Sequence, residues 1–227
     1  MRAPISIVIP TLNAEAALPA CLAALGEGLA AGLIRELVVT DGGSTDATLR
    51  IAEAAGAVVV KGPASRGGQL RRGVEAAQGD WLLVLHADTM LADGWAEVVL
   101  NTLGQRGAWY FQLRFDATGL VPRFVAGWAN LRSRIFGLPY GDQGMLLDRQ
   151  TYLEVGGFPD IPLMEDVALA RALRGRLRPL PADAVTSAAK YQQQGWLRRG
   201  SRNLWTLARY VAGVSPERLA QAYQRGD

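Results

Sequence analysis

Trp81 to Leu85 are five consecutive apolar residues, preceded by Gly79-Asp80 and followed by His86-Ala87-Asp88. An apolar run of that length without alternation reads as a strand covered on both faces. Such a strand needs neighbours beside it and a layer above and below it, which points to a layered α/β fold. Asp88 falls just past its carboxyl end, where open α/β sheets bind their ligands. A short carboxylate there can hold Mg²⁺ or Mn²⁺, which prefer hard oxygen donors. It can equally open a turn, or cap the helix that follows Asp93-Gly94. The run alone leaves both options open.

The chain before it repeats one unit. Ile5–Ile9 reads as a strand ending at Pro10-Thr11-Leu12-Asn13, and 15–29 as a helix with Asn13 as its N-cap. Residues 36–40 form a strand running into Asp41-Gly42-Gly43-Ser44-Thr45-Asp46, then a helix over 47–55 closed by Gly56. A third strand covers 57–61, a loop 62–68 and a helix 69–77; a further helix follows over 95–103. Strands alternating with helices over short connections predict a mostly parallel central sheet with helices on both faces. Thr11/Asn13, Asp41 to Ser44, and His86/Asp88 each follow a strand. All three groups would gather at one sheet edge, in a site of nucleotide size with backbone amides for phosphate or ribose.

The second half differs. A strand is expected over 108–115 and a helix over 120–136. That helix holds Arg123, Arg132 and Arg134, with no acid between Asp116 and Asp142. Gly141-Asp142-Gln143-Gly144 is a polar loop before the apolar Met145-Leu146-Leu147, and a helix opens at Met164-Glu165-Asp166. Residues 184–216 carry five basic side chains and no acid, and 196–211 reads as an amphipathic helix. Ser215-Pro216-Glu217 signals one more helix start. These divisions suggest a catalytic domain over 1–190, with a nucleotide-binding half (1–106) and an acceptor half (107–190), then a helical extension over 191–227.

A net charge of +3 suits anionic ligands or a membrane surface and is too small to imply nucleic acid. Cys21, alone in an Ala/Leu-rich stretch, forms no intramolecular disulfide and reads as a small buried apolar residue. No apolar run reaches the roughly 18 residues of a membrane span, and no signal peptide is evident. A cytoplasmic location is the expectation, with peripheral contact at the inner face of the membrane as an option.

Ile7-Val8-Ile9-Pro10-Thr11-Leu12-Asn13-Ala14-Glu15, Val38-Val39-Thr40-Asp41-Gly42-Gly43-Ser44-Thr45-Asp46, Leu85-His86-Ala87-Asp88, Gly156-Gly157-Phe158 and Glu165-Asp166 stand in this order. In order and spacing they resemble the family 2 glycosyltransferases of GT-A fold, over about residues 4 to 190. Leu85 to Thr89, Tyr140 to Gly144 and Phe158 to Asp166 look like a compact bacterial branch of that family. The resemblance implies a nucleotide-sugar donor, with Pro10, Thr11, Asn13, Glu15, Asp41, Gly43 and Ser44 around the nucleoside. Arg66 would contact base or phosphate, and His86 and Ala87 would lie beside the ribose or diphosphate. The family's metal motif, Asp-x-Asp, stands here as His86-Ala87-Asp88, leaving Asp88 as the residue for Mn²⁺ or Mg²⁺. Asp41-Gly42 replaces the two acids common in relatives, so Asp41 alone remains for the base or ribose.

Inverting transfer needs a base for the acceptor hydroxyl and positive charge on the leaving diphosphate. By resemblance Asp166 is the base and Glu165 orients it or the acceptor. Two acids at a helix start also simply complement the helix dipole. Asp142 and Gln143 could line the acceptor side. Gln192-Gln193-Gln194-Gly195-Trp196 matches the family's Gln-x-x-Arg-Trp pattern only in part, which favours transfer of a single sugar over processive synthesis. The basic tail with Trp196, Trp205 and Tyr210 could rest on an anionic membrane and receive a lipid-linked acceptor. Alternatively its apolar face packs on the catalytic domain or another subunit, which is the expectation adopted. Two other functions compete: a nucleotidyltransferase, and a non-catalytic nucleotide-sugar-binding protein. The loop from Pro10 to Glu15 lacks the glycines and basic residue of the first, and the retained Asp41, Asp88 and Asp166 argue against the second.

Overall fold

The computed structural model describes residues 3–224. Strands β1 (Ile5–Thr11), β2 (Ile34–Asp41), β3 (Val58–Lys61) and β4 (Trp81–Val84) run parallel. β5 (Thr89–Leu91), β6 (Ala108–Phe115), β7 (Met145–Asp148) and β8 (Leu177–Thr186) complete one sheet of order β3-β2-β1-β4-β7-β6-β8-β5. β7 is antiparallel to both β4 and β6, β8 is parallel to β6, and β5 closes the far edge antiparallel to β8. The first half is thus the parallel sheet that the alternation predicts.

Alternate residues of the central strands feed two separate cores, as the period of two along a strand requires. Ile5, Ile7, Ile9, Leu83 and Leu85 face one core. It is covered by α1 (Leu18–Ala23), α2 (Gly26–Ala30), α3 (Thr48–Ala54) and α5 (Trp95–Thr102). Val8, Leu82 and Val84 face the other. That core is covered by α4 (Arg66–Ala76), α7 (Arg149–Glu154) and α8 (Glu165–Ala172). Both faces of β4 are therefore buried, which is why its sequence shows no alternation. Cys21 is fully buried in the first core, and burial, then the nearby Asp88 charge, push its thiol up to about 12.

Three local expectations are corrected. The helix over 15–29 is two short helices, α1 and α2. Gly28 in α2 lies so close to Trp95 that an added Cβ would fall 2.4 Å from the indole ring. Asn13 caps no helix: it has a left-handed backbone (φ 50°), and its Oδ1 accepts from the Thr45 amide across the cleft edge. Nor is Asp88 the cap of α5. The Gly94 and Ala96 amides donate to the Glu27 carboxylate, at 3.0 and 3.2 Å.

β8 was not legible as a strand, because Pro179 and Pro181 interrupt it. Lacking amide hydrogens, they fall where the pairing with β6 shifts register, between Tyr110 and Gln112. The short helix α7 and edge strand β5 are also additions to the sequence reading. The acid-free helix α6 (Leu120–Phe136) lies along β6. After β8 come α9 (Ala189–Gln194), α10 (Trp196–Val211) and α11 (Pro216–Gln224). Leu219 of α11 is buried with Met164 and Val167, which joins the C-terminal helices to the start of α8.

Gly28→Val should destabilise the protein by about 1–3 kcal/mol through overpacking against Trp95. Glu27→Ala should cost about 1 kcal/mol by uncapping α5. Urea denaturation midpoints at constant slope are the measurement.

Candidate functional site

The carboxyl ends of β1, β2 and β4 meet on one side of the sheet. Thr11 pairs with Asp41 in register, and Leu85 donates to the Val8 carbonyl. Asp41 is buried, and its carboxylate accepts from Thr11 Oγ1, the Gly43 and Ser44 amides and Ser44 Oγ. Burial would raise this carboxyl, but the bonds from Ser44, Gly43 and Thr11 outweigh it and hold it below the ordinary carboxylate value. The loops after β1 and β2 are zipped together. Asn13 N donates to Ser44 Oγ at 2.8 Å, Glu15 N to Asp46 Oδ2 at 3.1 Å, and Ala47 N to Glu15 Oε2 at 2.8 Å. Behind them the buried Gln69 amide donates to the carbonyls of Thr11 and Thr40, both at 2.8 Å.

A cavity of about 500 Å³ opens in front of this edge. Pro10, Thr11, Asn13, Gln69, His86, Ala87 and Asp88 are on its wall, with Ser65 and Arg66 opposite. Arg66 opens α4, whose Ser65 caps it by accepting from the Gly68 amide. This loop is pinned to the chain ahead of α8. Ser65 Oγ donates to Asp160 Oδ1 at 2.8 Å, and Gly67 N to the Ile161 carbonyl at 3.1 Å. A Cβ on Gly67 would stand 2.0 Å from the Pro159 carbonyl oxygen, so only glycine permits the approach.

A second cavity, of about 130 Å³, adjoins the first, and the two share Arg66, His86, Asp88 and Lys190. Its wall brings Tyr140, Asp142, Glu165 and Asp166 together with Tyr191, Arg199 and Asn203 of α9 and α10. The parts interlock tightly. Gly141 N donates to Asp166 Oδ2 at 2.7 Å, and the Val167 amide donates to the other oxygen, Oδ1. Gly141 also lies over the His86 ring, so an added Cβ would stand 2.2 Å from Nε2. Met164, just before the two acids, takes a left-handed backbone (φ 69°). Such strain persists where surrounding structure holds it, and it concentrates at functional sites. Here burial with Val167 and Leu219 supplies the hold.

Burial dominates the charges of this second cavity. Burial, then repulsion from Asp166, push the Glu165 carboxyl up to about 8, with Arg66 opposing. Burial pushes Asp142 up to about 6, against the pull of Arg132 and with help from Asp166 and Asp88. Arg132 is itself buried, stacked 3.6 Å from the Tyr140 ring centre. Burial, then Arg66, lower the His86 imidazole below its ordinary value, with Asp88 and Asp166 opposing. Asp142 Oδ1, Glu165 Oε2 and Tyr140 Oη are buried without hydrogen-bond partners among the described residues.

Of the residues singled out in the sequence, Pro10, Thr11, Asn13, Arg66, His86, Ala87, Asp88, Asp142, Glu165 and Asp166 line the two cavities. Glu15, Asp41, Gly43 and Ser44 instead form the hydrogen-bonded framework behind the wall. Gln143 is a correction. It is fully buried, donating to the Phe111 carbonyl and Asn130 and accepting from Ser133, so it faces the fold interior. Sequence reasoning missed Gln69, Lys190, Tyr191, Arg199 and Asn203, whose roles depend on how distant elements pack.

The cleft and mixed sheet define a GT-A fold. Residues 6–137 match the sequence model of Glycosyl transferase family 2, more than half of the chain, and the chain belongs to that family. Asp142, Glu165 and Asp166 lie beyond the matched span. Over 99 residues the chain is 43% identical to the PGL/p-HBAD biosynthesis glycosyltransferases of Mycobacterium tuberculosis and Mycobacterium bovis. That match spans 40% of this chain and 38% of those proteins. The crystal structure of S. aureus TarS 1–349 in complex with UDP-GlcNAc superposes with a TM-score of 0.63 at 15% identity. It covers 81% of this chain and 58% of that one. Glucosyl-3-phosphoglycerate synthase from Mycobacterium tuberculosis, in complex with Mn²⁺, UDP and glucosyl-3-phosphoglycerate, gives 0.53 at 23% identity, covering 81% of this chain and 70% of that one. At such identities the likeness is one of fold.

The raised Glu165 carboxyl has a thermodynamic consequence. The unfolded chain releases this proton near the ordinary value of 4.5, whereas the folded protein keeps it until about 8. The folded state therefore holds more protons across that window, and stability falls as pH rises through it. Glu165→Gln should flatten the fall between pH 6 and 8 while leaving the part below about 6 that belongs to Asp142. Urea midpoints taken at pH 5, 6.5 and 8 measure it.

Proposed function

We propose that the protein transfers a single sugar, with inversion, from a nucleotide-sugar donor to an acceptor hydroxyl. One observation carries this reading: Asp88 stands on the wall shared by two cavities, one under the β1 and β2 ends, the other beside Asp166. The larger cavity has the size and the polar rim for a nucleoside diphosphate. Gln69 and Asp41 hold its floor rigid by fixing the ends of β1 and β2. Arg66 and Lys190, at the boundary, favour the negative charge of a diphosphate by position and sign.

A divalent cation fits this site as a partner of the donor. Among the described residues no three Asp, Glu, His or Cys side chains converge to form a complete metal cage. Asp88 would hold the ion together with the donor's phosphate oxygens, the mode Mg²⁺ favours. The ion would supply positive charge to the departing diphosphate. The His86 imidazole, packed under Gly141, forms part of the wall that the two cavities share.

Across that boundary the acceptor oxygen attacks the anomeric carbon as the bond to the diphosphate oxygen breaks. The acceptor proton passes to Asp166, and the nucleoside diphosphate leaves with the bonding electron pair. The Gly141 and Val167 amides fix the Asp166 carboxylate in one orientation. The raised carboxyl of Glu165 beside it favours the proton-bearing form, which lessens the competing negative charge. The unpartnered Asp142 Oδ1 and Tyr140 Oη are suited to hydroxyl-bearing ligands. Asp142 is the second candidate base, because a carboxyl near 6 is ionised at neutral pH and still a competent proton acceptor. The glycosyltransferase name of the mycobacterial relatives and the UDP-sugar and Mn²⁺ complexes of the fold neighbours support this reading.

Asp88→Ala should weaken Mn²⁺-dependent donor binding about tenfold or more, and Asp166→Asn should keep binding and lower turnover by roughly a hundredfold or more. Calorimetric titration and release of nucleoside diphosphate are the two readouts. If Asp142→Asn stops turnover and Asp166→Asn does not, the base is Asp142.

A further inference from the structure

The two acid-free helices each leave several large apolar side chains facing outward. On α6, Leu120, Phe124, Trp128, Leu131 and Ile135 fall in one stripe at spacings of three or four residues, and Leu120 and Phe124 are 83% and 72% exposed. On α10, Leu197 and Trp205 are 79% and 66% exposed, while Thr206 on the opposite side is buried. The expectation that the apolar face of the tail packs on the catalytic domain or another subunit holds in part: Trp196 packs edge-on against Phe115, and Leu207 and Tyr210 pack against Met164, Val167 and Leu219, while Leu197, Leu204, Trp205 and Val211 stay exposed. The polar side of α10, with Arg199, Asn203 and Thr206, lines the smaller cavity instead. α6 and α10 are in contact. Together they carry eleven of the sixteen exposed large apolar side chains among the described residues, too many on one side for ordinary scattered surface exposure.

We propose that the outward faces of α6 and α10 form a docking surface for an anionic lipid bilayer. Charge decides the occupant. Exposed Arg123, Arg134 and Arg198 border the apolar stripes, and neither helix contains a single acid. A second copy packed face to face would set these arginines against their own like charges with no carboxylate on either helix to pair them. A negatively charged surface meets them favourably, and aromatic and leucine side chains between basic ones are what a helix lying in the lipid interface presents. Among the described residues no helix is long and apolar enough to cross a membrane, so the contact is peripheral. Because the other side of α10 lines the cavity beside Asp166, docking brings that cavity to the bilayer surface. A hydroxyl on a lipid headgroup would then reach the site without its acyl chains leaving the membrane.

The test is co-flotation of the full chain with vesicles of phosphatidylcholine alone and of phosphatidylcholine with phosphatidylglycerol, at low and high salt. The wild type should float with the anionic vesicles and be released by salt. A variant carrying Phe124→Ser, Trp128→Ser and Trp205→Ser should bind at least about tenfold more weakly, with an unchanged melting midpoint. Arg123→Glu combined with Arg134→Glu keeps the apolar stripe, and should also lose about tenfold or more on anionic vesicles. Failure of the wild type to bind anionic vesicles overturns the proposal. So does equal binding by both variants, or a concentration-dependent dimer that the triple substitution dissolves while vesicles are ignored. Vesicle binding needs neither donor nor acceptor, so its failure would leave the transferase reading untouched.

Discussion

β4 is paired on its two edges in opposite senses: parallel to β1 and antiparallel to β7. Both of its faces are buried, and it cannot be shifted by one residue without moving Leu83 and Leu82 into each other's cores. Its carboxyl end is therefore fixed, and it is the seam between the parallel half and the antiparallel half. His86, Ala87 and Asp88 leave that seam and lead to β5 at the opposite edge of the sheet. Every residue assigned a chemical role above is placed relative to these three.

The two cavities differ in how their polar groups are satisfied. Around the larger one the polar groups bond chiefly to one another. The Asp41 carboxylate and the Gln69 amide satisfy loop amides, hydroxyls and strand-end carbonyls, leaving a shaped cavity floor rather than reactive groups. Around the smaller cavity, Asp142 and Glu165 are each buried with one oxygen left without a partner, and burial raises both carboxyls. Unsatisfied buried polar atoms destabilise a fold unless a ligand completes them. The tight junctions at Gly141 over His86 and at Gly67 against Pro159 keep the two sides in register.

Much of this was readable in the chain. The apolar runs of β1, β2 and β4 and the polar residues after them gave the sheet and the edge where Asp88 lies. What periodicity could not give was the destination of each polar group. Asn13 looked like a helix cap and instead bridges to Thr45. Gln143 looked like a cavity residue and instead bonds Phe111, Asn130 and Ser133, a choice set by packing over tens of residues. β8 was hidden because its prolines sit at a register shift that local propensity scores as a break. The amphipathic period of 196–211 was visible, but a period says that a helix has an apolar side, not which of its residues pack inward, as Trp196, Leu207 and Tyr210 do, and which face water, as Leu197 and Trp205 do. The order of short motifs supplied Asp166 and Glu165, which no local pattern distinguished from an ordinary helix start.

The central claim is that Asp88 links a nucleoside-diphosphate cavity to the cavity of the base. It is tested most directly by thermal melting of the wild type and Asp88→Ala with UDP-, GDP-, ADP- and dTDP-sugars, each with and without Mn²⁺. A ligand that binds only the folded state raises the melting midpoint in proportion to the logarithm of its saturation. The account predicts a rise with at least one of these donors that requires Mn²⁺ and disappears in Asp88→Ala. A rise that persists in Asp88→Ala, or no metal-dependent rise with any donor, would contradict it.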